Sequence, residues 1–261
     1  MDFLAGICGK DFVLVCSDTR AVHSIVALKH DEDKTIAVDD RHLLALSGEA
    51  GDRVNFSEYI VANVKLYALR NSRKLPTKQI AAFTRKELAI ALRKSPYQCN
   101  MLIAGVDEPE QGSRGQKTEK KSEEESKEET KAKTEAKGEE AAGEATKAKS
   151  EEEPKEEALA SAPSSPTSPL PAPSVPSVTP SLYYCDYLAT LHPMNVAAFG
   201  YGGYFVLSLF DRFWRPGMNQ DEAIELMKKG VDEVRRRLVV APPKYLVKII
   251  DANGTRTVGE I

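Results

Sequence analysis

Two residues of this 261-residue chain stand where opposite charges could tune a reactive group. Asp18 ends one apolar run and Lys34 opens another, so a fold that sets those strands side by side joins ammonium and carboxylate. Such a pair can activate a neighbouring nucleophile, or it can be a plain ion pair. Other catalytic signals are sparse. The chain has no GxSxG elbow, no Walker loop and no HExxH helix. Gly200-Tyr201-Gly202-Gly203 precedes an apolar stretch as a phosphate loop would, but no Lys follows, and close strand-to-helix packing accounts for its glycines. The four His are scattered, and Cys8, Cys16, Cys99 and Cys185 form no CxxC pair. We therefore expect no metal and no cofactor, and read the thiols as buried and reduced.

The elements that must position Asp18 and Lys34 follow from periodicity. Phe3–Cys8 and Phe12–Ser17 read as strands joined at Gly9-Lys10-Asp11, almost continuously apolar and so covered on both faces. Thr35–Val38 and Leu43–Ser47 form a second pair. From Ala50 to Arg70, Phe56, Ile60, Val64 and Tyr67 mark one face of a helix. A second helix is expected from Thr77, which could cap it, to about Arg93, with a looser stripe of Ile80, Phe83, Leu88 and Leu92. Strand character returns at Cys99–Val106, Leu182–Leu188 and Met194–Phe199. Gly202-Gly203 opens a helix to about Trp214. Another begins at Asn219, with Glu222 completing a capping box and Ile224, Met227, Val231, Val234 and Leu238 as its stripe. Tyr245–Ile250, a turn carrying Asn253-Gly254, and Thr255–Val258 form a closing hairpin. Helices gathered in pairs on apolar strands predict an α+β fold with two stacked sheets between helix layers.

Composition divides the chain. Residues 108–180 hold 17 Glu, 10 Lys and one Arg, no aromatic residue, and nine of the 15 Pro. That stretch carries −6, so the other 188 residues carry +3 within the overall −3. It cannot build a core and reads as a disordered insertion, Lys/Glu/Ala-rich and then Pro/Ser-rich, at a hairpin tip between residues 1–107 and 181–261. A docking segment or phosphorylation platform there is the sharper alternative, with Ser165 and Ser168 each preceding Pro. Closing a tip of about 75 residues instead of about five costs on the order of 2.4 kcal/mol, which a stable domain absorbs. The mild net charge argues against an electrostatic nucleic-acid binder. The first residues lack the basic flank of a signal peptide, and the Val196–Phe210 stretch is too short to span a membrane.

Phe3-Leu4-Ala5-Gly6-Ile7 followed by Val13-Leu14-Val15-Cys16-Ser17-Asp18-Thr19-Arg20 resembles the opening of a proteasome beta-type subunit. Lys34, Ser47-Gly48-Glu49-Ala50-Gly51-Asp52, Leu102-Ile103-Ala104-Gly105, Leu182-Tyr183-Tyr184-Cys185-Asp186-Tyr187 and Asp211-Arg212-Phe213 continue the likeness in order, over essentially all of residues 1–107 and 181–261. Within the family the chain is most similar to the non-catalytic type at the fourth beta position, which shares the GlyGluAlaGlyAsp and LeuTyrTyrXaaAspTyr patterns.

The resemblance implies a four-layer αββα sandwich of the N-terminal-nucleophile hydrolase type, and a place in a beta ring of the 20S core particle. Partners would be other beta subunits of the same and opposite rings and the alpha subunits, in cytoplasm and nucleus, with no nucleic acid and no membrane. Active members cut peptide bonds with an N-terminal threonine hydroxyl. The resemblance puts Met1 at that position and Tyr201 where a serine is expected, and Leu238-Val239-Val240-Ala241-Pro242-Pro243 replaces another family segment. Asp18, Lys34 and Gly48 match the supporting aspartate, lysine and oxyanion-type glycine, and would be vestigial. Arg20, Ala21, Val22, His23, Ser24, Ile25 and Val26 are candidate contacts with a neighbouring subunit. The expected function is structural, as part of the wall of a proteolytic chamber. The rivals are an active threonine peptidase and an interaction module acting through residues 108–180.

Overall fold

The computed structural model describes residues 2–23, 26–108 and 178–261. Met1, Ser24, Ile25 and most of the expected insertion therefore lie outside the described residues.

The first two apolar runs form strands β1 (Leu4–Cys8) and β2 (Val13–Asp18), antiparallel, with Leu4 opposite Ser17 and Cys8 opposite Val13. Their lack of alternation has a simple cause. Successive side chains point to opposite faces of a sheet, and both faces here are buried. Ala5, Ile7, Leu14 and Cys16 enter one core, whereas Leu4, Val13 and Val15 enter another.

A short hairpin of β3 (Ala21–His23) and β4 (Val26–Lys29) follows, which periodicity did not predict. Next come β5 (Thr35–Asp39), β6 (His42–Gly48), α1 (Ala50–Asn71), α2 (Thr77–Ala91) and β7 (Cys99–Asp107). After residues 109–177 the chain continues as β8 (Thr179–Cys185), β9 (Leu191–Pro193), β10 (Val196–Phe199), α3 (Gly203–Phe213), α4 (Gln220–Arg237), β11 (Tyr245–Asp251) and β12 (Gly254–Glu260). Two five-stranded antiparallel sheets result, ordered β10-β1-β2-β11-β12 and β5-β6-β7-β8-β9.

Three buried clusters hold these elements. Phe3, Leu14, Phe210, Met227, Val231 and Ile249 join the first sheet to α3 and α4. Leu44, Phe56, Ile60, Ile80, Leu88 and Met101 join the second to α1 and α2. Leu4, Val15, Leu43, Leu102, Leu182 and Ile250 come from both sheets and form a third.

Several expectations need correction. The strand expected at Met194–Phe199 forms but starts two residues later, at Val196. Pro193 closes β9 in the second sheet, the chain crosses at Met194-Asn195, and β10 joins the first. Composition alone cannot say to which sheet an apolar run belongs. Leu182–Leu188 also shifts. The strand begins earlier, at Thr179, and stops at Cys185, because Asp186 starts a turn: its carboxylate accepts from Thr190 N at 2.8 Å and its carbonyl from Ala189 N. Thr179 and Pro180, grouped with the insertion on composition, pair with Asp107 and Val106. Pro180 is tolerated because β9 reaches only Tyr183–Cys185, which leaves β8 an edge strand at its start.

Thr77 is not a cap. Pro76 holds that position, and Thr77 is the first helical residue, fully buried. Thr84 is buried on the same face, its hydroxyl bonded back to Ile80 O at 2.8 Å, which is why the apolar stripe of α2 reads as loose. The capping box of α4 forms as expected: Asn219 Oδ1 accepts from Glu222 N at 2.9 Å, and Glu222 accepts from Asn219 N at 3.0 Å.

Candidate functional site

The end of β2 and the segment before β5 deliver Asp18 and Lys34 to one buried point, with side chains essentially inaccessible. Lys34 Nζ donates to Asp18 Oδ2 at 2.8 Å. It also donates to the Arg20 carbonyl at 2.9 Å and to Asp2 Oδ1 at 2.6 Å. An ammonium has three N–H bonds, and each has an acceptor here. Asp18 is equally engaged: Oδ1 accepts from Phe3 N at 2.8 Å, and Oδ2 also accepts from Arg20 N at 3.3 Å. Removing such ions from water costs several kcal/mol each, and is tolerated only with this degree of pairing.

Asp2 is the residue that sequence reasoning missed. Its second oxygen, Oδ2, accepts from Gly48 N at 2.8 Å, so one carboxylate bridges the lysine and the glycine amide. Burial pushes the Asp2 carboxyl up, but the Lys34 charge and the Gly48 hydrogen bond outweigh it and hold it below the usual aspartate value. The one signal that could have found it is a charged residue placed just before an uncharged apolar run, Phe3–Cys8.

Two glycines make the arrangement possible. Gly48 has φ +124°, and a Cβ there would lie 2.1 Å from Gln98 O, so only glycine can end β6 with its N–H aimed at Asp2. Gly200 has φ +85°, and its Cβ would lie 1.8 Å from Asp2 O, so the turn before α3 must be glycine for the first residues to pass.

Asp18, Lys34 and Gly48 are thus brought together, with Asp2 between the last two. Tyr201 is not. It sits in the turn before α3 with 58% of its surface exposed, and no described hydrogen bond ties it to the cluster. Arg20 touches the cluster through its backbone, while its guanidinium donates to Val240 O at 2.7 Å, linking the start of the β3–β4 hairpin to the loop after α4. In that hairpin Ala21 and Val22 are half-buried and Val26 is exposed. Beside Lys34, Arg53 donates to Glu32 Oε1 at 2.8 Å in a small polar cleft also lined by Ser57 and Glu58. Among the described residues no cluster of His, Cys, Asp or Glu is arranged to hold a metal ion, and no helix is long and apolar enough to cross a membrane.

All three Lys34 ammonium hydrogens are thus engaged within the chain, and the Asp2 carboxylate occupies the Gly48 N–H. Two antiparallel sheets backed by helix pairs, with a lysine–aspartate pair and a glycine N–H converging at the first strand, make this an α+β fold. Comparison with known proteins makes this specific. A family model described as "Proteasome subunit" matches residues 4–114 and 174–250. The chain is 39% identical over 256 residues to proteasome subunit beta type-2-A of Arabidopsis thaliana, covering 98% of this chain and 92% of that one. It is 31% identical to a probable proteasome subunit beta type-4 of Schizosaccharomyces pombe over 99% of each chain. To proteasome subunit beta type-4 of Saccharomyces cerevisiae it is 29% identical over 261 residues. The chain belongs to the proteasome subunit family, among its beta-type members.

Proposed function

We propose that this chain is a non-catalytic, structural beta subunit of the 20S proteasome core particle, forming part of a beta ring and of the wall around the proteolytic chamber. The observation that carries the reading is the Asp2 carboxylate, bonded at once to Lys34 Nζ and Gly48 N. In an active member the lysine and the glycine amide must be available to a threonine hydroxyl and to the oxyanion its attack creates. Here both are taken by the chain itself. Residues 1–3 are Met, Asp and Phe, none with a hydroxyl, and Tyr201 stands at the serine position. Asp18, Lys34 and Gly48 then have a structural role only, pinning the first strand.

The three buried clusters support a four-layer αββα arrangement, with residues 1–107 and 181–261 as one domain interrupted by 108–180. Its partners are beta subunits of the same and opposite rings and alpha subunits, in cytoplasm and nucleus. Arg20–Val26 is the proposed contact with a neighbour, supported by the exposure of Val26 and of Leu28 beyond it, which leaves apolar surface for a partner to cover.

The test is to purify the chain within its assembly, treat it with an epoxyketone-type probe and sequence its first residues. No adduct, and a terminus lacking threonine, is the expected result. A free N-terminal threonine carrying the probe would overturn the proposal.

A further inference from the structure

At the opposite end of β6 from Gly48 lies a second buried charge cluster, which the proposed function does not use. His42, the first residue of β6, is 5% exposed. Its Nδ1 lies 2.8 Å from Asp39 Oδ1 and its Nε2 lies 3.2 Å from Asp107 Oδ1. A neutral imidazole has one N–H and one lone pair, so facing two carboxylates it would set a lone pair against an anionic oxygen. Only the doubly protonated ring donates to both. The carboxylates are themselves fixed. Asp39 Oδ1 accepts from Arg41 N at 2.8 Å, and Asp107 Oδ1 accepts from Thr77 N, the first residue of α2, at 2.9 Å. Gly105, directly opposite His42 in the β6–β7 ladder, leaves the room: a Cβ there would lie 2.5 Å from His42 Cδ2 and 2.3 Å from Thr77 Oγ1.

Asp107 is the last residue of β7, and its partner Thr179 opens β8. The cluster therefore stands at the root of the β7–β8 connection. We propose that His42 is a positioning residue, an imidazolium clasp that ties the β5–β6 turn, the root of the β7–β8 connection and the start of α2 into one unit.

The other charged groups around it agree in sign. Arg41 pairs with Glu108 at 2.5 Å, just past the end of β7. Lys74, in the loop between α1 and α2, pairs with Asp40 at 3.3 Å and adds positive potential at Asp39. From β8 the Tyr183 phenol faces Asp107, and its pKa is raised first by burial and then by the Asp107 charge. Burial would lower the His42 pKa, but its hydrogen bonds to Asp107 and Asp39 and their charges raise it to about 9. Burial pushes both carboxyls up, and the histidine outweighs it, leaving each below the usual aspartate value.

A histidine whose folded pKa is raised contributes stability that is complete below its unfolded value, 6.5, and is lost as pH rises through about 9. Across that window the folding equilibrium constant of the wild type should fall relative to His42→Gln by roughly two orders of magnitude. The experiment uses the full chain labelled at histidine nitrogens, with the His42 signal identified by its loss in His42→Gln or, should that variant not fold, by removing His23, His30 and His192 in turn. The expected spectrum at pH 7.5 shows both His42 ring nitrogens protonated, with a midpoint near 9. A neutral tautomer at pH 7.5, or a midpoint near 6.5, overturns the proposal. Denaturant titration of wild type and His42→Gln from pH 6.5 to 9.5 is the second measurement: a stability gap that narrows with pH is expected, and a constant gap overturns it.

Discussion

Replacing Lys34 by methionine keeps the length of the side chain and removes its charge. The structure then leaves two carboxylates, Asp18 and Asp2, facing one another with no cation, the first almost inaccessible and the second largely buried. Removing one partner of a buried ionic cluster costs about 3–5 kcal/mol, because the remaining charges are uncompensated. For a domain of this size each kcal/mol moves the melting temperature by about 2–4 °C, so the variant should melt roughly 6–20 °C below wild type. Differential scanning calorimetry of the full chain at pH 7 reads this directly. Two features distinguish the mechanism from general core damage. First, Lys34→Met combined with Asp18→Asn should cost less than the two single changes added together, since the second removes a charge the first has orphaned. Second, the orphaned carboxylates favour protonation, so the variant should regain ground as pH falls from 7 towards 4. Wild type does the reverse: Asp2 has a lowered pKa, so its contribution is present above 3.8 and is lost as pH falls through the folded value. A loss below about 1 kcal/mol with additive cycle energies would mean the pair behaves like a surface ion pair, and the reasoning would fail.

Asp2→Ala should cost less, about 1–2 kcal/mol by urea denaturation, because water can reach Gly48 N once the carboxylate is gone; its deficit against wild type should close below pH 3.8, and it should gain no peptidase activity. Gly48→Ala forces a Cβ to within 2.1 Å of Gln98 O at φ +124°, and should lower the urea midpoint by the equivalent of about 2 kcal/mol or more. Deleting residues 110–174 should leave incorporation into the core particle and peptidase turnover of the assembly unchanged, as measured by native mass spectrometry and a fluorogenic peptide assay; collapse of assembly would show that this segment is part of the scaffold.

Most of the fold was legible because β1, β2, β6 and β7 are buried on both faces and the helices carry stripes. α4 is the clearest case, since Met227, Val231 and Val234 are core residues and Asn219 caps as its type predicts. What could not be read depends on partners distant in sequence. Nothing local marks Asn195 as the point where the chain leaves one sheet for the other, because the choice is made by Cys8 N, which donates to its carbonyl at 2.7 Å. The site was half legible for the same reason. Asp18 and Lys34 announce themselves as charges at strand ends, whereas Asp2 acquires meaning only once Gly48 and Lys34 converge on it from 46 and 32 residues away. His42 is a similar case: its partner Asp107 is 65 residues distant.

In the non-catalytic role proposed above, the lysine–aspartate pair still has a physical task. A lysine that activates a nucleophile must be buried and placed by fixed acceptors, and those requirements are also the ones that make it a good anchor. In this chain Asp18 holds the first strand through Phe3 N, Lys34 holds Asp18, and Asp2 returns from the start of that strand to Lys34 and Gly48. The loop of contacts therefore closes on the segment in which an active member carries its nucleophile. No peptidase activity is therefore expected when Asp2 alone is removed, because Asp18 and the Arg20 carbonyl still hold two of the three ammonium hydrogens. On the proposed reading the lysine carries a structural task, and removing it costs stability without exposing a nucleophile.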